Sequence, residues 1–441
     1  MLNYNLHRGF DYIMFGSVVL IILMGITLIY SGTHAIEWAQ NIWIRQTIWF
    51  GFGLAGMIAA ILFDYQLLGK YSRLIFIIAI ILLICVLFGP SVRSAKSWFL
   101  LGPISFQPAE FAKLATIIIL AEYLSTKREG LNTLYDLLPS IGFVGLPILL
   151  ILMQPDLGTT LVFVPIYLMM LFITGIRTLY LVTLASTGAL IIIITIFVSW
   201  VEIQPKLANI GIVSFLYKIF GSFEYAIIFL IALLVVIVGI YYAIKMFHDT
   251  ELKFTNFLLS YIILVVSMFF SLIVDNFLKE YQRKRILVFI DPNIDPLGAG
   301  YNIIQSKIAI GSGKLFGKGL LNGTQNQLGF LPERQTDFIF SVLGEELGFI
   351  GAMVLLFLFC VIIYRGIAIA FSSRDMFGCL LATGIISMIT VQIFINIGIA
   401  TGIMPVTGLT LPLVSYGGSS LFITMVSLGI VLNIRLRRYL I

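Results

Sequence analysis

The sequence predicts an all-α polytopic membrane protein, a helical bundle of about twelve transmembrane helices with one large extracytoplasmic loop, and three observations predict it. Hydrophobic residues make up 60% of the 441 positions and charged residues only 11%, far beyond what a soluble domain uses to fill its core. The apolar residues gather in runs that match a bilayer crossing, which takes roughly 20 residues per helix. The runs are continuous, as from Ile227 to Tyr242, whereas barrel strands alternate over about ten residues. A soluble enzyme, a disordered chain and a nucleic-acid-binding protein are excluded. Cys85, Cys360 and Cys379 lie in or beside apolar runs and the three histidines are scattered, so no disulfide framework or metal cluster is implied. No small-residue cleavage site follows the first run, which therefore reads as a retained span.

In order, the runs fall near 13–32, 43–63, 74–89, 106–125, 137–154, 157–175, 179–200, 223–246, 256–276, 338–364, 377–400 and 418–434, separated by short polar or Gly- and Pro-containing connections. An even number of spans puts both termini on one side. With that side inside, the inner segments carry thirteen Lys and Arg residues, against four (Arg93, Lys96, Lys206, Lys218) on the short outer loops. The positive-inside rule then makes both termini cytoplasmic. The whole chain, 1–441, reads as a single integral membrane domain. Its exception is the segment 277–336, which lies outside and holds eight glycines, four acids and eight bases. Long loops in otherwise tight proteins carry function, and the half-apolar stretch Tyr301–Ile310 predicts a short helix that dips toward the lipid surface.

Within this loop, Asp291-Pro292 and Asp295-Pro296 each set an acid before a proline, which holds it in extended backbone and aims the carboxylate. Gly298 and Gly300 follow, permitting close approach of a bulky ligand, with Tyr301, Gln305, Lys307, Lys318, Glu333 and Arg334 around them. An Asx-type turn accounts for the Asp-Pro pairs equally well. The fourth span opens on Phe106-Gln107-Pro108-Ala109-Glu110: Pro108 suits a first helical position, and Glu110 then sits in the first turn, on one face with Lys113. That is a capped helix start with a local ion pair, but Lys113 lies a turn deeper, and ionisable groups inside spans are functional candidates. Arg45 near the second span either snorkels to headgroups or serves a site. Asp156, in Gln154-Pro155-Asp156, reads as the cap of the next helix. Near the end, Pro405 to Ser420, including Ser415 and Tyr416, forms a Gly-rich outer segment that either lines a cavity or packs for structure.

Several of these stretches resemble the SEDS family. They are Tyr281-Gln-Arg-Lys-Arg, Asp295-Pro-Leu-Gly-Ala-Gly-Tyr, Gln305-Ser-Lys-Ile-Ala-Ile-Gly, Asn322-Gly-Thr-Gln, Phe330-Leu-Pro-Glu-Arg, Phe106-Gln-Pro-Ala-Glu-Phe-Ala-Lys, Gln154-Pro-Asp-Leu-Gly-Thr and Pro412-Leu-Val-Ser-Tyr-Gly-Gly-Ser. The Asn322 and Ser306-Lys307 portions look more like the elongation branch of the family than its division branch. The resemblance implies a peptidoglycan glycosyltransferase of the bacterial cytoplasmic (inner) membrane that polymerises lipid II during cell elongation. It implies a class B penicillin-binding protein and other elongation-machinery membrane proteins as partners, and no nucleic acid. Asp295 matches the family's essential extracytoplasmic acid, Glu110 and Lys113 its charged pair, and Arg45 its arginine at the second span. The family plan has ten spans, so a segment near 201–255 looks like an added transmembrane pair. Ser97 stands where an arginine is common, which leaves Lys96 as the substitute for phosphate contact.

The residue types suit that reaction. Lipid II leaves as a polyprenyl diphosphate, a good leaving group, so one base suffices where glycosidases need two acids. Asp295 is the expected general base on the acceptor hydroxyl, with Arg45, Lys96, Lys113 and the loop bases as cations for the diphosphate. Attack opposite the leaving group predicts inversion, to a β-1,4 glycan. No cofactor is required by the sequence; a divalent cation such as Mg or Mn is compatible with it. The alternative function is a flippase or transporter for the lipid-linked precursor, with Glu110, Lys113 and Arg45 lining the path.

Overall fold

The computed structural model describes residues 9–34, 41–89, 96–101, 104–127, 134–247, 254–278, 280–292, 295 and 298–438. In chain order the elements are α1 (Tyr12–Thr33), α2 (Ile42–Leu62), α3 (Tyr65–Lys70), α4 (Ser72–Leu87), β1 (Phe99–Leu101), β2 (Ile104–Phe106), α5 (Pro108–Thr126), α6 (Leu134–Leu152) and α7 (Leu157–Ile173). There follow α8 (Thr178–Ile203), α9 (Gly211–Gly221), α10 (Phe223–Phe247), α11 (Phe254–Phe277), α12 (Glu280–Val288), α13 (Ala299–Ser312), α14 (Thr324–Gln327), α15 (Ile339–Phe371), α16 (Met376–Thr401) and α17 (Gly418–Arg437). All twelve predicted runs are helical. Among the described residues, eight helices are long and apolar enough to cross a membrane by length and composition alone. Of the other four, α4, α7 and the part of α6 from Asp136 to Leu152 are shorter, and α5 carries Glu110, Lys113 and Glu122. The predicted helix in the long loop is α13. The hairpin β1–β2, with Phe99 opposite Phe106, was not expected, because three-residue strands are too short to show a period.

The chain divides into two compact units, 1–176 with 295–441, and 177–294. In the first, α5, α16 and α17 form the centre; α5 is buried on nearly every face from Pro108 to Leu124, as suits a helix with apolar residues on all its faces and its buried charges, Glu110 and Lys113, paired with each other. Small residues set the close approach of α2 and α17: a methyl group on Gly429 would meet the Met57 carbonyl at 2.6 Å, the packing that membrane helices use in place of a hydrophobic driving force. The start of α1 and the ends of α15 and α17 share one end of this unit. There Asp11 caps α1 by accepting from Met14 N at 3.1 Å and pairs with Arg365 of α15 at 2.7 Å and with Arg435 of α17. The opposite end carries the first turns of α5, α7, α15 and α17.

α15 is broken at Gly348, which takes φ 65° and ψ −162°. A broken helix frees backbone groups that a bilayer cannot satisfy, and the connector after α13 takes them up. Lys318 N and Gly319 N donate to Glu345 O and Glu346 O, both at 3.0 Å, while Phe349 N and Ile350 N donate to Lys314 O at 2.9 Å and Leu315 O at 3.1 Å. A side chain at Gly348 would drive into the backbone of Leu315 and Gly317. Gly348→Ala is expected to cost at least about 1–3 kcal/mol, seen as a lower thermal midpoint in detergent.

In the second unit, Ile194, Val198, Ile219, Ala226 and Met268 form a core that joins α8, α9, α10 and α11. Thr195 and Ser271 bond across α8 and α11 at 3.0 Å. Arg283 of α12 pairs with Asp275 at 3.1 Å and with Glu202, fixing α12 to the ends of α11 and α8.

Candidate functional site

The best-built polar cluster sits where α5, α7 and α17 begin. Pro108 occupies the first turn of α5, as its lack of an N–H favours. Glu110 and Lys113 then meet at 2.8 Å, with side chains 7% and 0% exposed. Asp156 caps α7, accepting from Thr159 N at 3.0 Å and Thr159 Oγ1 at 2.8 Å. Its second role is to receive Gln107 Nε2 at 3.1 Å. Burial pushes the Asp156 carboxyl up, against the Thr159 hydrogen bonds and the Lys113 charge. Gln107 N donates to Ser419 Oγ at 3.2 Å, and the Ser419 hydroxyl donates to Ser105 O at 3.0 Å. The structure thus brings Gln107, Glu110, Lys113 and Asp156 together. Asp156→Ala is expected to cost about 1 kcal/mol through the lost cap, read as a thermal shift, and to release Gln107.

Asp295 is placed by a separate device. It lies half-buried just before α13, and its carbonyl accepts from Gly300 N at 3.0 Å. The carboxylate folds over Gly298 so closely that a Cβ there would collide with both carboxylate oxygens. A glycine is needed there for space. Gly300 is buried and Tyr301 and Gln305 are half-buried on the first turns of α13. Lys307, one turn further, lies against Gly402, where a Cβ would meet its Nζ at 2.6 Å.

The other predicted cations divide by exposure. Arg45 and Lys96 are exposed. Lys318 is held by Glu345 at 2.8 Å. Arg334 is 2% exposed, with Nη1 and Nη2 unpartnered; burial pulls its guanidinium down, against the nearby Glu346 charge. The Glu333 backbone has φ 49° and its carbonyl accepts from Thr336 N and Asp337 N, each at 3.1 Å. Ser415 is a structural knot: its hydroxyl donates to Thr336 O at 2.6 Å and accepts from Leu411 N at 2.9 Å. Tyr416 N donates to Gln335 O at 2.8 Å.

Four residues of this region escaped the sequence reading. Gln46, next to Arg45, is 1% exposed; its Nε2 donates to Ser415 O at 3.2 Å and its Oε1 accepts from Gly417 N at 3.4 Å. Asn396 Nδ2 donates to Asp337 O at 3.0 Å and Leu409 O at 2.7 Å. Glu345 and Glu346 are fully buried. Glu345 takes Lys318 and the Gln325 and Asn326 amides at 3.0 and 3.1 Å, and Glu346 takes Ser31 at 2.7 Å and Asn326 Nδ2 at 2.8 Å. Two adjacent carboxylates inside an apolar run were the available signal. Among the described residues, no three His, Cys, Asp or Glu side chains gather in a metal-holding group.

Buried charges and capped helix starts at one end of a membrane-crossing bundle, with an aspartate on the long loop, define a polytopic membrane protein with a polar site at the end away from Asp11 and Arg435. The chain belongs to the FtsW/RodA/SpoVE family, described as cell cycle proteins, whose sequence profile matches residues 11–208 and 226–440. It is 34% identical to the peptidoglycan glycosyltransferase RodA of Treponema pallidum (strain Nichols), covering 97% of this chain and 98% of that one. It is also 34% identical to the peptidoglycan glycosyltransferase MrdB of Escherichia coli (strain K12), covering 99% and 97%. Among solved structures, a chain of a peptidoglycan synthase complex that coordinates polymerization and crosslinking superposes with a TM-score of 0.64 at 28% identity, covering 98% and 99%. The Thermus thermophilus rod shape determining protein RodA shares the fold, with a TM-score of 0.59 at 24% identity over 98% of each chain.

Proposed function

We propose that this protein is a peptidoglycan glycosyltransferase that polymerises lipid II into β-1,4 glycan strands with inversion, and that Asp295 is its general base. The observation that carries the reading is the Asp295 carboxylate, held over Gly298 at the start of α13 instead of being used up inside a helix. A carboxylate there can take the proton of an acceptor hydroxyl as the hydroxyl attacks the donor sugar. Arg45, Lys96 and Lys307 are exposed and are assigned to the departing diphosphate, where fixed cations stabilise growing charge. Lys113, paired with Glu110, supplies a deeper positive group. Lys318 and Arg334, held by Glu345 and by burial, are assigned to holding the loop. No resident metal is part of the proposal; a divalent cation would ride with the diphosphate, and loss of turnover on chelation, restored by Mg or Mn, would reveal it.

The reading carries a class B penicillin-binding protein as transpeptidase partner, supported by the structural likeness to a synthase complex. It also puts both termini in the cytoplasm and the site outside, as the positive-inside count supports. The segment 201–255, expected to be an added transmembrane pair, holds one span-length helix, α10, beside the 11-residue α9; it is assigned to contacting another membrane component, and polar replacements at exposed Ile228, Ile231 and Val235 of α10 should weaken that association. One observation favours the transporter reading, the broken helix α15 with buried Glu345 and Glu346, since transporters build sites at such breaks. Purified protein reconstituted with its partner and fluorescent lipid II separates the two. Glycan strands support the transferase; movement of lipid II between leaflets without strands supports transport.

A further inference from the structure

We propose that the connector 314–321 is a membrane-inserted element, seated among the acyl chains and headgroups of the leaflet at its own end of the bundle. Leu315 and Phe316 are 59% and 79% exposed, and Leu320 and Leu321 are exposed beside them. Four exposed large apolar side chains on one short connector are a feature of the kind that marks an interaction surface. The connector is held in position. Gly317 N donates to Gly313 O at 2.8 Å, Lys318 is pinned on buried Glu345, and Leu321 N donates to Ser31 Oγ at 3.1 Å.

What covers the patch follows from where it is pinned. The bonds from Phe349 N to Lys314 O and from Ile350 N to Leu315 O lay the connector on the break in α15. From that break, Phe349, Ile350, Met353, Val354 and Phe357 are all exposed, with the spacing of a single helix face. On a membrane-crossing helix that face meets lipid. The connector's apolar residues therefore extend a lipid-facing stripe, and exposed Lys314 is placed to reach phosphates as its stem lies along the acyl boundary. This inference does not depend on the reaction.

The test uses full-length protein with Cys85, Cys360 and Cys379 replaced by serine and Phe316→Cys labelled with a small fluorophore, in phosphatidylcholine and phosphatidylglycerol nanodiscs. Phe357→Cys serves as the lipid-facing reference and Glu280→Cys as the aqueous one. Quenching by doxyl-labelled lipid at position 316 is expected to exceed that at 280 by at least about threefold, with aqueous iodide showing the reverse order. Leu320→Cys should behave as Phe316→Cys does, which guards against a local disturbance by one substitution. Iodide access at 316 and 320 equal to that at 280, without doxyl quenching, overturns the proposal. So does shielding that arises only after a partner protein is added, because the surface would then belong to a protein contact.

Discussion

Asp295→Asn is expected to lower lipid II polymerisation by about 10²–10⁴-fold, the range that one positioned general base supplies. Asparagine keeps the shape that rests on Gly298, so the fold should stay intact and lipid II should bind as before. The loss should fall on kcat with KM little changed, because the missing proton acceptor matters in the transition state. Gly298→Ala tests the same geometry from the other side. It leaves the carboxylate present but forces it away, and its activity should fall in the same direction. Wild-type activity in Gly298→Ala would mean that the carboxylate does not act from the position it holds here.

The second large effect is at Lys113. Its ammonium is completely buried against Glu110 at 2.8 Å, so Lys113→Met leaves an uncompensated carboxylate inside the bundle. Breaking a buried pair from one side costs about 3–5 kcal/mol, and a sharply lower thermal midpoint in detergent is the expected reading. Glu110→Gln combined with Lys113→Met removes both charges, and most of that stability should return. Activity separates structure from function. If Lys113 supplies charge to the diphosphate, the stable double variant remains inactive; a double variant that polymerises lipid II at the wild-type rate would reduce the pair to a structural role.

Much of this architecture was legible in the sequence because bilayer spans and helix starts leave local signals. The twelve apolar runs located twelve of the helices, Pro108 and Glu110 marked the start of α5, and Asp156 announced the cap of α7. The Asp295-Pro-Leu-Gly-Ala-Gly-Tyr stretch pointed to the loop acid; Gly298, expected to make room for a ligand, makes room for the Asp295 carboxylate. What escaped depends on long-range partners. Gln46 is a plain glutamine in an apolar helix until Ser415 and Gly417, far along the chain, are brought to it. Glu345 and Glu346 were hidden by the hydrophobicity around them, although two carboxylates in a span deserved the scrutiny given to Glu110 and Lys113. The break at Gly348 is invisible locally, because what stabilises it is the connector 314–319, a piece of chain that carries no helical signal. The division at 177 and 294 likewise reflects contacts and leaves no compositional mark.

Chemical rescue of Asp295→Ala tests the central claim most directly. The variant, reconstituted with its partner and lipid II, should be nearly inactive and should regain turnover as formate or another small carboxylate fills the space beside Gly298, with stronger bases rescuing better. An Asp295→Ala protein that builds glycan strands at the wild-type rate without any added carboxylate would contradict the account.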